Sequence, residues 1–344
     1  MDGRAALAAL LLVWSVPAVR LLAYTELLMD STQSSTTAVE VRQETARETL
    51  EYWAVRGLVG LVGVLPRPVA RAVGAAIGGV CWWTLGGLRR TGLRNLALAL
   101  PEKTEAERGG ILRRLYTTLG WQIAEFCKMG GYSLEEASRF IRYEGLENYL
   151  AARYKGKGVL VLTGHLGAWE LSSFYHSLRG YPMSLVIRRL DNARVDAFVN
   201  GIRCLHGNRV IHKDDFARGL LTAMHNGETV GILMDTNMTP PQGVFVPFFG
   251  VEACTASGLA RVAGRTGAAV LPGFLLWEES EKRYVLRFGE ELQLQQTGDL
   301  QADMMANTAL FAATTEAYIR RYPEQWLWVH RRWKTRPEGE EKIY

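Results

Sequence analysis

The stretch GVLVLTGHLGAWE, residues 158–170, decides the fold that this chain is expected to adopt. Its first six residues form a largely apolar run, which is typical of a parallel β-strand buried on both faces. The apolar spacing that follows, over residues 168–178, predicts a helix. A buried strand that leads into a helix is the unit from which parallel sheets are built, and ligands bind beyond the carboxyl ends of such strands.

The same alternation continues along the chain. Further strands are predicted at residues 183–188, 228–235, 268–277 and 284–288, the last two being close enough to form a hairpin. Helices are predicted at residues 104–128, 195–205, 216–225, 255–265 and 299–322. Strands that alternate with helices predict an α/β fold with a mostly parallel central sheet flanked by helices.

The composition is that of an ordinary folded protein, with 344 residues of which 48% are hydrophobic and 22% are charged. The four cysteines are scattered, and none lies at the spacing of a metal site. We therefore expect reduced thiols, with no metal and no other cofactor. The net charge of +5 is modest for this length and does not by itself indicate a nucleic-acid partner.

Tryptophans interleave with a basic cluster near the end of the chain, where Trp326, Trp328 and Trp333 surround Arg331 and Arg332. Indole rings and cations occur together at membrane interfaces, where the rings lie among lipid headgroups. We interpret the cluster as a membrane contact. A solvated basic tail is the simpler alternative, and single-stranded nucleic acid also binds surfaces that combine aromatic rings with positive charge.

Two apolar stretches precede the α/β region. Residues 5–16 make a weak secretion signal, because only one arginine precedes them and no clear cleavage site follows. Residues 72–88, bounded by Arg71 and by Arg89 and Arg90, are near the lower length limit for a spanning helix. We predict a shallow or marginally spanning anchor, with the paired arginines on the cytoplasmic side.

The strongest chemical signal lies where the first strand ends. His165 emerges there between two glycines, and Glu170 follows five residues later. Positions five apart on a regular helix do not share a face, so the two side chains meet only if His165 lies in the turn before the helix. Glu170 would then orient the imidazole, whose other nitrogen removes a proton from a hydroxyl. A structural hydrogen bond at the strand end is the alternative interpretation.

No protein nucleophile motif accompanies this histidine. The chain has no G-x-S-x-G elbow, and H-x-x-x-x-E lacks the one-face spacing of the zinc motif H-E-x-x-H. A histidine base without a protein nucleophile indicates that the substrate supplies the nucleophile. A hydroxyl that attacks an activated acyl group, such as a thioester, fits this requirement.

The H-x-x-x-x-E pattern resembles the first motif of the glycerolipid acyltransferases. Over roughly residues 50–340 the chain is similar to the late acyltransferases of lipid A biosynthesis, the lauroyl and myristoyl transferases of Gram-negative bacteria. The blocks that carry this likeness are RR at 89–90 with NL at 95–96 and PE at 101–102, VIR at 186–188 with DN at 191–192, Asp235 with GVFVPFFG at 243–250, and YPEQWLWVHRRWKTRP at 322–337.

The resemblance implies a division of the chain and a reaction. Residues 51–100 would be a membrane-associated helical region, 101–338 a glycerol-3-phosphate acyltransferase-like domain and 339–344 a tail. The first 48 residues fall outside the likeness, and residues 1–50 are predicted from their own pattern to be an apolar helix and a polar linker. Acyl-acyl carrier protein would donate a fatty acyl group to a hydroxyl of a Kdo-bearing lipid A precursor. The expected place is the cytoplasmic face of the bacterial inner membrane, with membrane phospholipids as partners and no nucleic acid.

The resemblance also assigns residues. His165 looks like the general base and Glu170 its partner, while Arg203 and Asp235 match two further functional positions. Asp235 ends a predicted buried strand, where α/β sites gather, and a turn or helix cap is its alternative role. Arg188 is a candidate for contact with an acceptor phosphate, and a surface ion pair is the alternative.

The segment at residues 243–250 supplies the last candidates, Gly243 and Phe249, as substrate-binding residues. Glycines and phenylalanines there could form a wall for an acyl chain or simply a packed loop. Three other functions remain open for the chain as a whole. They are an acyltransferase for a lysophospholipid or another glycolipid, a membrane-bound thioesterase, and a membrane-binding protein without catalysis.

Overall fold

The computed structural model describes residues 45–212 and 215–344, so the apolar stretch at residues 5–16 lies outside the described part. Its helices are α1 (Ala46–Gly63), α2 (Arg67–Thr84), α3 (Gly86–Ala99), α4 (Glu105–Met129), α5 (Leu134–Phe140), α6 (Leu146–Tyr154), α7 (Trp169–Leu178), α8 (Ala193–Arg203), α9 (Phe216–His225), α10 (Gly258–Thr266) and α11 (Leu300–Arg321). Its strands are β1 (Ile141–Glu144), β2 (Val159–Thr163), β3 (Ser184–Ile187), β4 (Arg209–His212), β5 (Thr229–Leu233), β6 (Gly243–Phe248), β7 (Val251–Ala256), β8 (Ala269–Glu278) and β9 (Arg283–Phe288).

Seven strands form the central sheet in the order β1-β9-β8-β2-β5-β3-β4. Neighbouring strands run parallel except at the β8–β9 hairpin, so β9 and β1 run opposite to the other five. Strands β6 and β7 form a separate antiparallel pair. The α/β fold with a mostly parallel sheet and flanking helices is therefore confirmed, as is the hairpin.

The middle of the sheet is buried on both faces. In β2, the residues from Val159 to Leu162 are each 4% exposed or less. Val159 and Val161 belong to the core cluster on one face, and Leu160 and Leu162 to the cluster on the other. A strand covered on both sides needs apolar residues at every position, which is why it is recognisable in the sequence as an apolar run.

Residues 72–88, where a shallow or marginally spanning anchor is predicted, do not form a single helix. Helix α2 ends at Thr84, Leu85 leaves the helical conformation with φ −99° and ψ 56°, and α3 begins at Gly86 at an angle of 89° to α2. Within residues 45–212 and 215–344, no single helix is both long and apolar enough to cross a membrane. The bent α2–α3 pair meets that test only when its two arms are taken together.

Glycines on α2 explain where one of its faces packs. A Cβ added at Gly74 would lie 2.1 Å from the carbonyl oxygen of Gly120, and one at Gly78 would lie 2.1 Å from that of Tyr116. Both carbonyls belong to α4, so the backbones of the two helices touch at these positions. The glycine-rich composition of this stretch is thus explained by close helix packing, while Trp83 on the same helix stays exposed.

The tryptophans of the C-terminal block do not lie at a surface, which corrects the interpretation of this block as a membrane contact. Trp326, Trp328 and Trp333 are each 1% exposed or less, and Arg332 is also 1% exposed. The rings pack around Phe248 at the end of β6 and its neighbours. The interleaving of tryptophan and arginine therefore marks a second core beside the sheet.

Candidate active site

His165 lies in the loop between β2 and α7, at the carboxyl end of the sheet. Two glycines shape this loop. A Cβ at Gly164 would lie 3.0 Å from the carboxyl group of Asp235, and Gly167 has φ +66° with the carbonyl of Leu275 only 2.1 Å from where a Cβ would be. Side chains at these positions would push the loop off β8 and away from β5. The glycines therefore bring His165 against the end of the neighbouring strand.

Asp235 is the partner of His165. The imidazole Nδ1 is 2.9 Å from Oδ1 of Asp235, and the backbone N–H of His165 donates to Oδ2 at 2.7 Å. The side chain of His165 is 13% exposed and that of Asp235 only 2%. Two hydrogen bonds from one residue to both carboxylate oxygens fix the imidazole plane as well as its distance.

The charge state of Asp235 decides how the imidazole is oriented. Burial alone would raise the pKa of Asp235, but the charge on His165 and hydrogen bonds from His165 and Trp326 outweigh it and lower that pKa to about 2. An ionised carboxylate can only accept, so Nδ1 of His165 donates to it, and in the neutral form of the imidazole the lone pair then lies on Nε2. This is the arrangement of a general base held by a buried carboxylate.

Glu170 does not make this contact. Its carboxylate accepts two hydrogen bonds from Arg203, at 2.8 Å from Nε and 2.5 Å from Nη2. Glu170 lies in the first turn of α7 and Arg203 at the end of α8, so the ion pair joins these helices. The predicted His165–Glu170 hydrogen bond is thus corrected: Nδ1 of His165 is taken by Asp235, and Glu170 turns toward α8.

The Glu170–Arg203 pair is itself well enclosed, with side chains 16% and 8% exposed. Burial lowers the pKa of Arg203, but the charge of Glu170 and its hydrogen bonds outweigh this and raise the pKa above its usual value. Arg203 also donates to Asn200 at 3.1 Å. The pair is therefore an ion pair held in a fixed geometry beside His165 and Asp235.

An apolar crevice lies between α7 and the sheet, beside this ion pair. Glu170 and Arg203 line it together with Trp169, and its remaining walls are mainly aliphatic residues and glycines from β2, β3, β5 and β8. The ring of Trp169 meets that of His165 edge-on, with centroids 5.0 Å apart. His165 itself does not line the crevice within the described residues, and it is joined to the mostly apolar lining through Trp169.

Three other predicted residues lie elsewhere. Arg188 is half exposed, with its guanidinium 3.5 Å from Asp191, and no described contact links it to the crevice. Gly243 starts β6, where an added Cβ would lie 2.6 Å from the Cys254 sulfur, and it is packed in the protein. Phe249 turns between β6 and β7 with φ 54° and packs against Trp326. Neither Gly243 nor Phe249 lines the crevice within the described residues.

Sequence reasoning missed the contribution of the C-terminal block. The indole N–H of Trp326 donates to Oδ2 of Asp235 at 2.7 Å. His330, which has no informative spacing in the sequence, accepts the backbone N–H of Asn237 at 2.9 Å, two residues beyond Asp235. Burial lowers the pKa of His330 to about 3, so this imidazole is neutral. The block was recognisable as distinctive, but its contacts lie some 90 residues away along the chain.

Among the described residues, no group of three or more histidines, cysteines or carboxylates is placed to hold a metal ion. The site combines a histidine–aspartate pair at the carboxyl ends of parallel strands with a nearby apolar crevice. This combination is typical of enzymes that activate a hydroxyl next to a hydrophobic substrate. That describes a class of transferases and hydrolases.

The chain belongs to the bacterial lipid A biosynthesis acyltransferase family, whose model matches residues 40–335. It is 28% identical over 293 residues to the lipid A biosynthesis palmitoleoyltransferase of Escherichia coli (strain K12), which covers 85% of this chain and 94% of that protein. It is 28% identical over 289 residues to the lauroyltransferase of the same organism, covering 83% and 92%. With the myristoyltransferase it shares 24% identity over 256 residues, covering 74% and 78%. The chain is thus an acyltransferase, and the likeness to late lipid A acyltransferases is confirmed.

Proposed function

We propose that this protein transfers a fatty acyl group from acyl-acyl carrier protein to a hydroxyl of a lipid A precursor, with His165 as general base. The observation that carries the proposal is the His165–Asp235 pair, in which Asp235 engages Nδ1 of the imidazole and the ring of His165 contacts Trp169, a residue that lines the apolar crevice. The family supplies the acceptor class, since its name and those of its relatives refer to lipid A biosynthesis.

The proposed chemistry balances without a cofactor. Nε2 of His165 takes the hydroxyl proton as the oxygen attacks the thioester carbonyl, and Asp235 stabilises the imidazolium that forms. The tetrahedral intermediate then expels the thiolate, which receives the proton from His165. The products are an ester and a free thiol, and the histidine is regenerated.

The crevice supports an acyl ligand. A fatty chain gains free energy when its methylenes leave water, roughly 0.8 kcal/mol for each one buried. The crevice walls from β2, β3 and β5 are mainly aliphatic. In this proposal Glu170 and Arg203 form the polar end of the crevice and hold its shape, and Arg188, on the exposed surface, is left as a candidate for a phosphate of the acceptor.

Attachment to the cytoplasmic face of the inner membrane is part of the proposal, because the acceptor is a lipid. Exposed apolar side chains on α1 and α2 support it: Trp53, Leu61, Val69, Val80 and Trp83 are each at least 47% exposed. Apolar side chains clustered at a surface are typical of contact with a membrane or a partner.

The test is an assay with purified protein, offering acyl-acyl carrier protein or acyl-coenzyme A against a lipid A precursor and a lysophospholipid. We expect transfer to the lipid A precursor, with the carrier protein as the better donor. Replacing His165 with Ala should reduce turnover by at least about 1,000-fold, and Asp235→Asn by a similar factor, because the amide no longer fixes the imidazole tautomer.

Near-normal transfer by the His165→Ala protein would disprove the base assignment. Preferred transfer to the lysophospholipid would move the acceptor to another lipid class. Release of free fatty acid at the same rate with and without acceptor would make the protein a thioesterase. Circular dichroism and thermal unfolding of both variants serve as controls for the fold.

A further inference from the structure

Trp326 places a single polar atom into an otherwise apolar environment. It follows a short 3₁₀ turn, Pro323–Gln325, and is 1% exposed. Its ring packs against Phe248, with centroids 5.6 Å apart, and against Trp328, with centroids 4.5 Å apart. The indole N–H, its one donor, points out of this aromatic cluster to Oδ2 of Asp235 at 2.7 Å.

The backbone around Trp326 holds the catalytic loop on both sides of His165. The N–H of Leu327 donates to the carbonyl of His165 at 3.1 Å, and the N–H of Gly167 donates to the carbonyl of Gln325 at 3.1 Å. Leu166 and Trp326 form an antiparallel bridge between these two bonds. The C-terminal segment is therefore fixed to the same loop whose carboxylate partner it contacts.

The hydrogen bonds at Asp235 divide between its two oxygens. Oδ2 accepts from the His165 backbone and from the Trp326 indole, and Oδ1 faces Nδ1 of the imidazole. His165 alone supplies one hydrogen bond to each oxygen, so without the indole the carboxylate and the histidine could still shift together. The indole is the third donor and comes from a different segment, so it fixes the carboxylate relative to the rest of the fold. The position of the carboxylate decides where Oδ1 holds Nδ1.

We infer that Trp326 is a positioning residue for acyl transfer, whose indole N–H fixes the Asp235 carboxylate so that His165 presents Nε2 to the acceptor hydroxyl. The inference rests on the proposed function of His165. It predicts a defect in the chemical step rather than in substrate binding, because Trp326 does not line the crevice.

The site has a built-in matched control. Trp328 is also fully buried in the same aromatic cluster. Its indole N–H also donates a hydrogen bond, in this case to the backbone carbonyl of Pro323 at 2.6 Å. The two tryptophans differ in what they hold: a backbone carbonyl for Trp328 and the carboxylate partner of His165 for Trp326. Trp326→Phe and Trp328→Phe therefore remove the same group with different consequences.

We expect Trp326→Phe to lower kcat by about 10- to 100-fold with little change in KM, as expected for loss of a hydrogen bond to a charged group. Trp328→Phe should keep kcat within about threefold of the wild-type value while losing as much thermal stability as Trp326→Phe.

The pH profile of kcat distinguishes a positioning role of Trp326 from a packing role. When the indole N–H is removed, the Asp235 carboxylate loses a hydrogen bond that stabilises its negative charge. It then attracts a proton more strongly, and the pKa of the His165–Asp235 pair rises. The acid limb of kcat should then move to higher pH in Trp326→Phe alone.

The charged and titratable groups around this carboxylate are His165, His330 and Arg332, all present in both variants. Equal kcat values and superimposable pH profiles for the two variants would overturn the inference. If Trp326→Phe does not fold, replacing Trp326 with benzothienylalanine keeps the ring shape and removes the N–H. Wild-type kcat in that protein would overturn the inference equally.

A double-mutant comparison completes the test. Adding Trp326→Phe to Asp235→Asn should reduce kcat no further, and a full additional loss would show that Trp326 acts by another route. Failure here is distinct from failure of the proposed function. If the His165→Ala protein is active, His165 is not the general base and the proposed function fails. If His165→Ala is inactive but Trp326→Phe has normal kcat, only the role inferred for Trp326 fails.

Discussion

Two regions of this protein combine tryptophan and arginine in opposite surroundings. The C-terminal block at residues 326–333 and helix α2 both combine tryptophan with arginine. In the block, Trp328 and Arg332 are each 1% exposed or less. On α2, Trp83 is 75% exposed and its neighbour Trp82 packs edge-on against Tyr116. The same residue types thus build a core in one region and a surface in the other.

The difference lies in the hydrogen-bond partners that each region finds. The guanidinium of Arg332 donates to the carbonyls of Thr236 and Cys254 and to the hydroxyl of Thr255. The indole of Trp328 also has a carbonyl acceptor. Buried polar groups are tolerated when they are hydrogen-bonded. The acceptors of Arg332 come from loops and strands far away in the sequence, whereas that of Trp328 is the nearby Pro323. Composition alone therefore cannot separate a membrane-interface cluster from a satisfied polar core.

The largest effect should come from removing the charge at the centre of the C-terminal block. We expect Arg332→Met to lower the free energy of unfolding by about 3 kcal/mol, because three buried acceptors lose their donor. Arg331, the next residue, lies 5.8 Å from the ring of Tyr344 as its main contact. Arg331→Met should cost less than about 1 kcal/mol. Urea unfolding of the two variants measures the contrast.

Equal unfolding free energies for the two arginine variants would show that the block is a solvated surface after all. Acyl transfer should also fall in Arg332→Met, since the guanidinium is fixed to Thr236, next to Asp235. Measuring acyl transfer in this variant therefore tests whether the C-terminal block supports the His165–Asp235 site.

The central strands could be predicted from the sequence because each is an apolar run buried on both faces, such as Thr229–Leu233 in β5. Two strands were missed. Ile141–Glu144 and Arg209–His212 are the edges of the sheet, have four residues each and carry polar side chains. An edge strand is covered less, so it needs no apolar run and leaves no such pattern. The β6–β7 hairpin is also absent from the prediction: residues 243–250 indicate only an acyl-chain wall or a packed loop, and the helix predicted from residue 255 begins at Gly258, after β7.

The site was only half predictable for a related reason. Both His165 and Asp235 were found as residues that follow buried strands. Their pairing depends on the order of the strands, with β2 beside β5 and Thr163 in register with Leu233. Each of the two side chains follows its registered residue by two positions, so they meet. Proximity in the sequence favours Glu170 as the hydrogen-bond partner of His165. In the structure, the position of Glu170 in the first turn of α7 places its carboxylate against Arg203 instead.

The second effect concerns the packed face of α2. Gly78 touches the backbone of Tyr116, whereas an added Cβ at its neighbour Gly79 would meet nothing within 4 Å. Gly78→Ala should destabilise the protein by about 2 kcal/mol through overpacking. Gly79→Ala should stabilise it by about 0.5–1 kcal/mol, because alanine favours a helix. Thermal unfolding of the pair distinguishes them, and a stable Gly78→Ala protein would mean that α2 is not held against α4.

The smallest effect concerns the exposed face of α2, and it decides whether that face contacts lipid. We expect Trp83→Glu to weaken binding of the full-length protein to vesicles of anionic phospholipid by about tenfold, since an exposed ring that would enter the interface is replaced by a charge. Unfolding should change by less than about 0.5 kcal/mol. Sedimentation with sucrose-loaded vesicles measures the binding.

Tyr154 is the matched control, because it is 94% exposed and ends α6 on the α/β part of the chain. Tyr154→Glu introduces the same charge at another exposed aromatic position, so any general repulsion from anionic lipid affects both variants. A loss confined to Trp83→Glu assigns the lipid contact to α2. An equal loss in both variants would assign the weaker binding to net charge. Unchanged binding in both variants would show that the exposed face of α2 does not attach the protein to lipid, so the exposed Trp83, unlike the buried tryptophans at residues 326–333, would have no assigned role.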